Sequence, residues 1–168
     1  MTMTPGLRKF VLTAHVASSV GWLGAVVAYL ALAVAALTNQ DAQTVRAAWI
    51  AMGLTGRFVI VPLSLASLLI GLIQSLSTPW GLFRHYWVLV KFLLTVFATV
   101  ILLLHMPTVS HFASVAVETD NANLDGLWGE LLHAGGGLLV LLVNTTLSVY
   151  KPGSMTRYGR RKQHAEVL

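Results

Sequence analysis

The chain contains no cysteine and six acidic residues, and charged residues make up 10% of its 168 positions. Without thiols there is no disulfide framework, no thiolate metal site and no thiol nucleophile, and cysteine usage says nothing of the redox compartment. The shortage of charge sets the chain apart from soluble domains, in which about 25% of residues are charged. Also missing are a nucleotide-binding glycine loop, a zinc-protease motif, a catalytic triad and any nucleic-acid module. Asn144-Thr145-Thr146 matches a glycosylation sequon, but it falls inside an apolar run and carries no weight.

What the chain has in quantity is apolar surface, with 56% hydrophobic residues. Uninterrupted runs reach or exceed the ~20 residues that cross ~30 Å of hydrocarbon. Helices are expected over about 10–37, 47–76, 86–106 and 128–150. Ala33-Val34-Ala35 looks like a leader cleavage site, but the preceding run is longer than the ~7–15 residues of a signal core, so the first helix is expected to stay. Thr55-Gly56-Arg57 and Pro62 interrupt the second run, and Pro62 is expected to kink it. Pro107 is expected to end the third helix. The segment from Thr108 to Leu127 then reads as a polar loop, with a short helical turn at His111 to Val117 as an option.

Charge sets the expected orientation. Arg8, Lys9, Arg84, Lys151, Arg157, Arg160, Arg161 and Lys162 lie at alternate ends of the apolar runs, and Asp41, Glu118, Asp120, Asp125 and Glu130 at the others. By the positive-inside rule both termini and the Arg84 loop are cytoplasmic. The expected fold is all-α: a four-helix transmembrane bundle, up-down-up-down, over residues 1–150, followed by a basic cytoplasmic tail, 151–168. The net charge of +5 is thereby explained by topology, and no nucleic-acid partner is implied. The bilayer of a bacterial plasma membrane is the expected surrounding, with a redox partner, a larger complex or a second copy as possible associates.

Each helix carries a polar stripe. His15, Ser18, Ser19, Trp22, Val26 and Tyr29 share one face of the first helix at ~100° per residue. Arg57, Ser64, Leu68, Gly71 and Ser75 share a face of the second, Lys91, Thr95, Ala98, Leu102 and His105 of the third, and Glu130, His133, Gly137 and Asn144 lie on or near one face of the fourth. In lipid such stripes turn toward one another, and ionisable groups among them are site candidates. By depth they separate into an inner set, His15, Gln74, Ser75, Lys91 and Asn144, and an outer set, Arg57, His105, Glu130 and His133. His15 and His133 are expected more than ~10 Å apart along the membrane normal and so cannot ligate one atom.

In the outer set, His105 and His133 suit the two axial positions of a haem iron, with Arg57 pairing a propionate. The same imidazoles could hold copper or zinc, with His111 or Glu130 as a further ligand and Met52 or Met106 for Cu(I). The plainer alternative leaves both histidines hydrogen-bonded to water or backbone. In the inner set, Lys91 is costly to bury unless paired, and its plainer alternative is snorkelling to the headgroups. His85, next to Arg84, reads as an interfacial residue, and His164 is discounted. The run Gly135-Gly136-Gly137 reads as a place of close backbone approach between helices.

Two motifs resemble known families. His15, Trp22, Gly24 and Tyr29-Leu30 resemble the first helix of the copper resistance protein D-like membrane proteins and of the haem-containing membrane protoporphyrinogen oxidases. Trp87, Lys91, Leu93-Leu94 and His105 resemble the lysine-bearing helix of those oxidases. The chain also resembles a family of uncharacterised bacterial four-helix membrane proteins, down to Val149-Tyr150-Lys151-Pro152 and Arg157-Tyr158-Gly159-Arg160-Arg161. The resemblance implies that His15 and Lys91 are positions of haem b binding or oxidase activity, and a redox or haem-binding membrane protein in electron transfer or oxidation of a membrane-accessible substrate is the leading expectation. Ala31-Leu32 stands where the oxidases have Pro-Arg, which is a departure at a motif position. Copper or other metal handling, and a structural role in a membrane complex, are the alternatives.

Overall fold

The computed structural model describes residues 3–77, 81–118, 126–151 and 155–161. Its elements are α1 (Pro5–Thr38), α2 (Ala42–Thr55), a π-helical turn (Gly56–Ile60), α3 (Val61–Ser77), α4 (Tyr86–Glu118) and α5 (Leu127–Tyr150). With α2, the π turn and α3 taken as one path, the chain has four helices long and apolar enough to cross a membrane. It is an all-α four-helix bundle and a multi-pass membrane protein. Its outside is apolar: Phe10, Leu104 and Leu132 are among many large side chains left exposed, the pattern expected when lipid is the solvent.

α1 begins at Thr4, whose hydroxyl accepts the Leu7 amide, with Pro5 in the first turn, where its missing N–H costs nothing. Its 34 residues make a rod of about 50 Å, well beyond the ~30 Å hydrocarbon layer. Its buried residues are Ser18, Trp22, Val26, Tyr29, Ala33 and Ala36. The stripe legible in the sequence is therefore the one that packs.

The second run does not break at Thr55-Gly56-Arg57. Pro62 has no N–H to offer the carbonyl of Phe58, and its ring crowds that carbonyl. The π turn lies over those residues, and the Val61 amide bonds to Gly56 O across it. The wider turn absorbs the proline without ending the helix.

α4 continues through Pro107 to Glu118, so the expected end at Pro107 and the polar loop from Thr108 are corrected. A proline inside a helix is tolerated when neighbouring elements hold the flanking turns. Here α2 does so. Trp49 stacks on Phe112 with centroids 4.8 Å apart, Arg46 Nε donates to Ala116 O at 2.8 Å, and a Cβ on Gly53 would lie 2.7 Å from that of Ala113. Close helix approach thus occurs at Gly53. At Gly135, Gly136 and Gly137 a Cβ would meet nothing within 4 Å, so the expected backbone contact at that run is also corrected.

α1 packs on α2, α3 and α5, and α4 on α2, α3 and α5, so α1 and α4 stand on the diagonal of the bundle. At the other end from Asp41, residues 155–161 fold back on the turn before α4. Met155 bridges His85, the Thr156 amide donates to Arg84 O at 3.0 Å, and the Thr156 hydroxyl donates to Phe83 O and accepts the Gly159 amide. Part of the expected tail is therefore docked. Residues 78–80 and 152–154, the acids Asp120 and Asp125, and the tail from Lys162, with His164, lie outside the described residues.

Candidate functional site

Two polar centres lie at different depths in the bundle. The larger is built where α5 enters it. Gly126 has φ of +98°, a left-handed conformation comfortable only for glycine, and a Cβ there would press to 2.7 Å from the Phe112 ring. One turn on, the Glu130 amide bonds back to Gly126 O at 3.0 Å. The first turn of a helix favours an acidic side chain, and this one points inward, with its side chain 1% exposed.

The two Glu130 oxygens have separate partners. Tyr29 on α1 donates its hydroxyl to Oε2 at 2.6 Å, and His105 Nε2 on α4 lies 2.9 Å from Oε1. A buried carboxyl is tolerable only when its oxygens are satisfied in this way. The three residues tie α1, α4 and α5 together at one point. The His105 ring then stacks on His133, with centroids 3.9 Å apart and planes 8° from parallel. His133 Nδ1 is 2.8 Å from Gly129 O. A carbonyl can only accept, so Nδ1 carries the hydrogen, and in the neutral ring the lone pair sits on Nε2.

This cluster closes one end of an apolar cavity of about 520 Å³, whose walls include Trp22, Tyr29, Leu102, His105, Gly136 and Gly137. The volume falls within the ~300–1,000 Å³ usual for cofactor and small-molecule sites. Gly136 and Gly137 are part of its wall, and their missing side chains leave room in the cavity.

The second centre surrounds a cavity of about 150 Å³ lined by His15, Ser67, Gln74, Ser75, Trp87 and Lys91, among others. Lys91 is half-buried and reaches across to α5. Its Nζ donates to the Ser148 hydroxyl, which donates to Asn144 O. The Asn144 amide donates to Thr95 Oγ1 at 3.0 Å, and Thr95 returns to Lys91 O at 2.8 Å. This ring of bonds fastens α4 to α5. Gly71 makes room for the His15 imidazole, where a Cβ would come within 3.0 Å of Cε1.

The expected outer set is thus brought together except for Arg57, which is exposed on the π turn with its guanidinium 5.9 Å from the Phe58 ring centroid. It reaches neither His105 nor His133. His111 is exposed further along α4. Among the described residues there is no group of three or more His, Asp or Glu placed to hold a metal ion. Of the inner set, His15, Gln74, Ser75 and Lys91 share the small cavity, and Asn144 lies beside it. Tyr29 is the partner that sequence reasoning missed. Its place on the buried stripe of α1 was legible, but its bond to Glu130 joins residues 101 positions apart.

No family model matches the chain, and comparison with curated proteins and with solved structures likewise gives no match.

Proposed function

We propose that this is a protein of the bacterial plasma membrane that binds haem b in the cavity between α1, α4 and α5 and acts in electron transfer or in oxidation of a membrane-accessible substrate. The observation that carries this reading is His133: an imidazole with Nδ1 committed to a backbone carbonyl and Nε2 open, on the wall of a cavity of about 520 Å³. That hydrogen-bonding arrangement is the usual one for a metal-ligating histidine. The glycines at 136 and 137 leave space for a flat ring, since a Cβ at either meets nothing within 4 Å. Haem, when bound, supplies one-electron chemistry.

The chain's own residues have distinct tasks in this reading. His133 would hold the haem iron through Nε2. His105 is held by Glu130, and with Tyr29 the three keep an exchangeable proton at the cavity's polar end. The cavity's walls are largely apolar, and a low-dielectric surrounding strengthens the hydrogen bonds in the cluster. The small cavity at His15 and Lys91, about 150 Å³, falls below the ~300 Å³ lower bound for such sites. The membrane orientation that fits is with both termini cytoplasmic, because Arg84, Lys151, Arg157, Arg160 and Arg161 gather at the end opposite Asp41 and Glu118.

The test is a reduced-minus-oxidised spectrum of protein purified after haem-supplemented expression. Soret and α-band changes that titrate with the protein are expected. A featureless spectrum from folded protein would end the haem reading.

A further inference from the structure

The wall of the small cavity includes Lys91, His15 and Gln74, and among the described residues it includes no acid. Lys91 is half-buried, and its ammonium has three N–H groups. Among the described residues the only hydrogen bond from it goes to Ser148, with the Trp87 ring 5.8 Å away. His15 Nδ1 is buried without a hydrogen-bond partner. Gln74 and Ser75 line the same space from α3. The described acids, Asp41, Glu118 and Glu130, all belong to the opposite end of the bundle, at the start of α2, the end of α4 and the start of α5.

An ammonium in a low-dielectric bundle is costly unless an opposite charge or several acceptors satisfy it. Lys91 reaches across to α5, where Ser148 supplies one acceptor for three N–H groups. The room beside it, about 150 Å³, is several times the ~30 Å³ share of one water. We propose that this cavity is an anion site, taking an oxyanion such as a phosphate group between Lys91 on α4 and His15 on α1, with Gln74 and Ser75 at its edge. The oxygens of such a group accept from the two remaining ammonium hydrogens, and from His15 when Nδ1 carries the proton. Charge-assisted bonds of this kind are stronger than neutral ones. The site is separate from the cavity at His133 and stands whether or not haem binds there.

Phosphate reaches such a site either free in water or carried on a lipid headgroup, and the test separates the two. Full-length protein in a neutral detergent is titrated with inorganic phosphate and followed by its melting midpoint. In parallel, protein from phosphatidylcholine nanodiscs with and without phosphatidylglycerol is examined by native mass spectrometry for retained lipid. A saturable rise of the midpoint with phosphate identifies a soluble anion, and selective retention of phosphatidylglycerol identifies a headgroup. In either arm Lys91→Gln is expected to weaken binding on the order of ten- to a hundred-fold. Lys91→Arg should retain most of it, His15→Asn should weaken it, and Lys9→Gln on the exposed end of α1 should not. Binding in neither arm, or binding equal in wild type, Lys91→Gln and His15→Asn, overturns the proposal. Should Lys91→Gln fail to fold, wild type and His15→Asn decide it.

Discussion

The His105 and His133 rings lie face to face, 3.9 Å between centroids and 8° from parallel. Two axial ligands must present nitrogens from opposite sides of an iron, which stacked rings do not do, and Glu130 already occupies His105 Nε2. The roles of the two histidines therefore separate. On the haem reading proposed above, His133→Ala is expected to abolish any haem spectrum, whereas His105→Ala should keep it with a shifted band position or potential. Equal loss in both variants would restore a paired-ligand arrangement, and retention in His133→Ala would remove the assignment.

Glu130 should be the costliest of the cluster to remove. Glu130→Ala leaves the Tyr29 hydroxyl and the His105 imidazole facing an apolar void, and each buried group so left unsatisfied costs about 1–3 kcal/mol. Glu130→Gln keeps the shape, an acceptor for Tyr29 and a donor for His105, so it should lose about half of that or less. Tyr29→Phe deletes one donor and should cost about 1–3 kcal/mol. Unfolding in mild detergent, followed by helix signal, gives the order. Equal stability of Glu130→Ala and wild type would mean that the network does not tie the helices.

The stripes were legible because helical periodicity places Ser18, Trp22, Val26 and Tyr29 on one face whatever the rest of the bundle does. The grouping of His15, Gln74, Ser75 and Lys91 followed from depth alone, since an up-down bundle brings equal depths together. Local sequence misled at Pro107, where contacts from α2 to Phe112, Ala113 and Ala116 outweigh the proline's preference to stop a helix. Arg57 was misplaced for a related reason. The π turn ahead of Pro62 changes the angular step per residue, so a stripe drawn at a constant ~100° no longer gives the face of Arg57. Glu130 could be placed in the outer set from its depth and its stripe with His133, but no local pattern reveals that Tyr29 and His105 receive it.

Glycines of opposite function offer a clean contrast. Gly136 and Gly137 line the cavity, and a Cβ on either meets open space. Gly136→Ala should therefore raise helix stability by about 0.5–1 kcal/mol. Gly137→Leu should fold as well as wild type but lose the bound ligand by filling its room. Gly53→Leu has no such freedom, since even its Cβ would lie 2.7 Å from Ala113 Cβ, and it should destabilise the α2–α4 contact while leaving the cavity walls intact. Melting midpoints together with haem content separate the two effects, and normal haem content in Gly137→Leu would disprove the cavity's role.

Asp41 gives the fold a pH dependence of definite sign. Its carboxylate accepts from the Thr44 hydroxyl at 2.7 Å, the Thr44 amide at 3.0 Å and the Gln43 amide at 3.4 Å, capping α2 outside the spanning segments. These bonds, the Thr44 hydroxyl first, hold its pKa below the ordinary carboxylate value in the folded chain. The folded state therefore binds this proton less readily than the unfolded one. The cap's charge-dependent stabilisation is fully present above the unfolded aspartate value of about 3.9 and is lost as pH falls through the lower folded value. Asp41→Asn keeps a capping oxygen without the titration. Wild type should thus lose stability relative to Asp41→Asn on acidification across that window, and their difference should stay constant from mildly acidic to neutral pH. A wild-type advantage that grew as pH fell would contradict the cap's charge state.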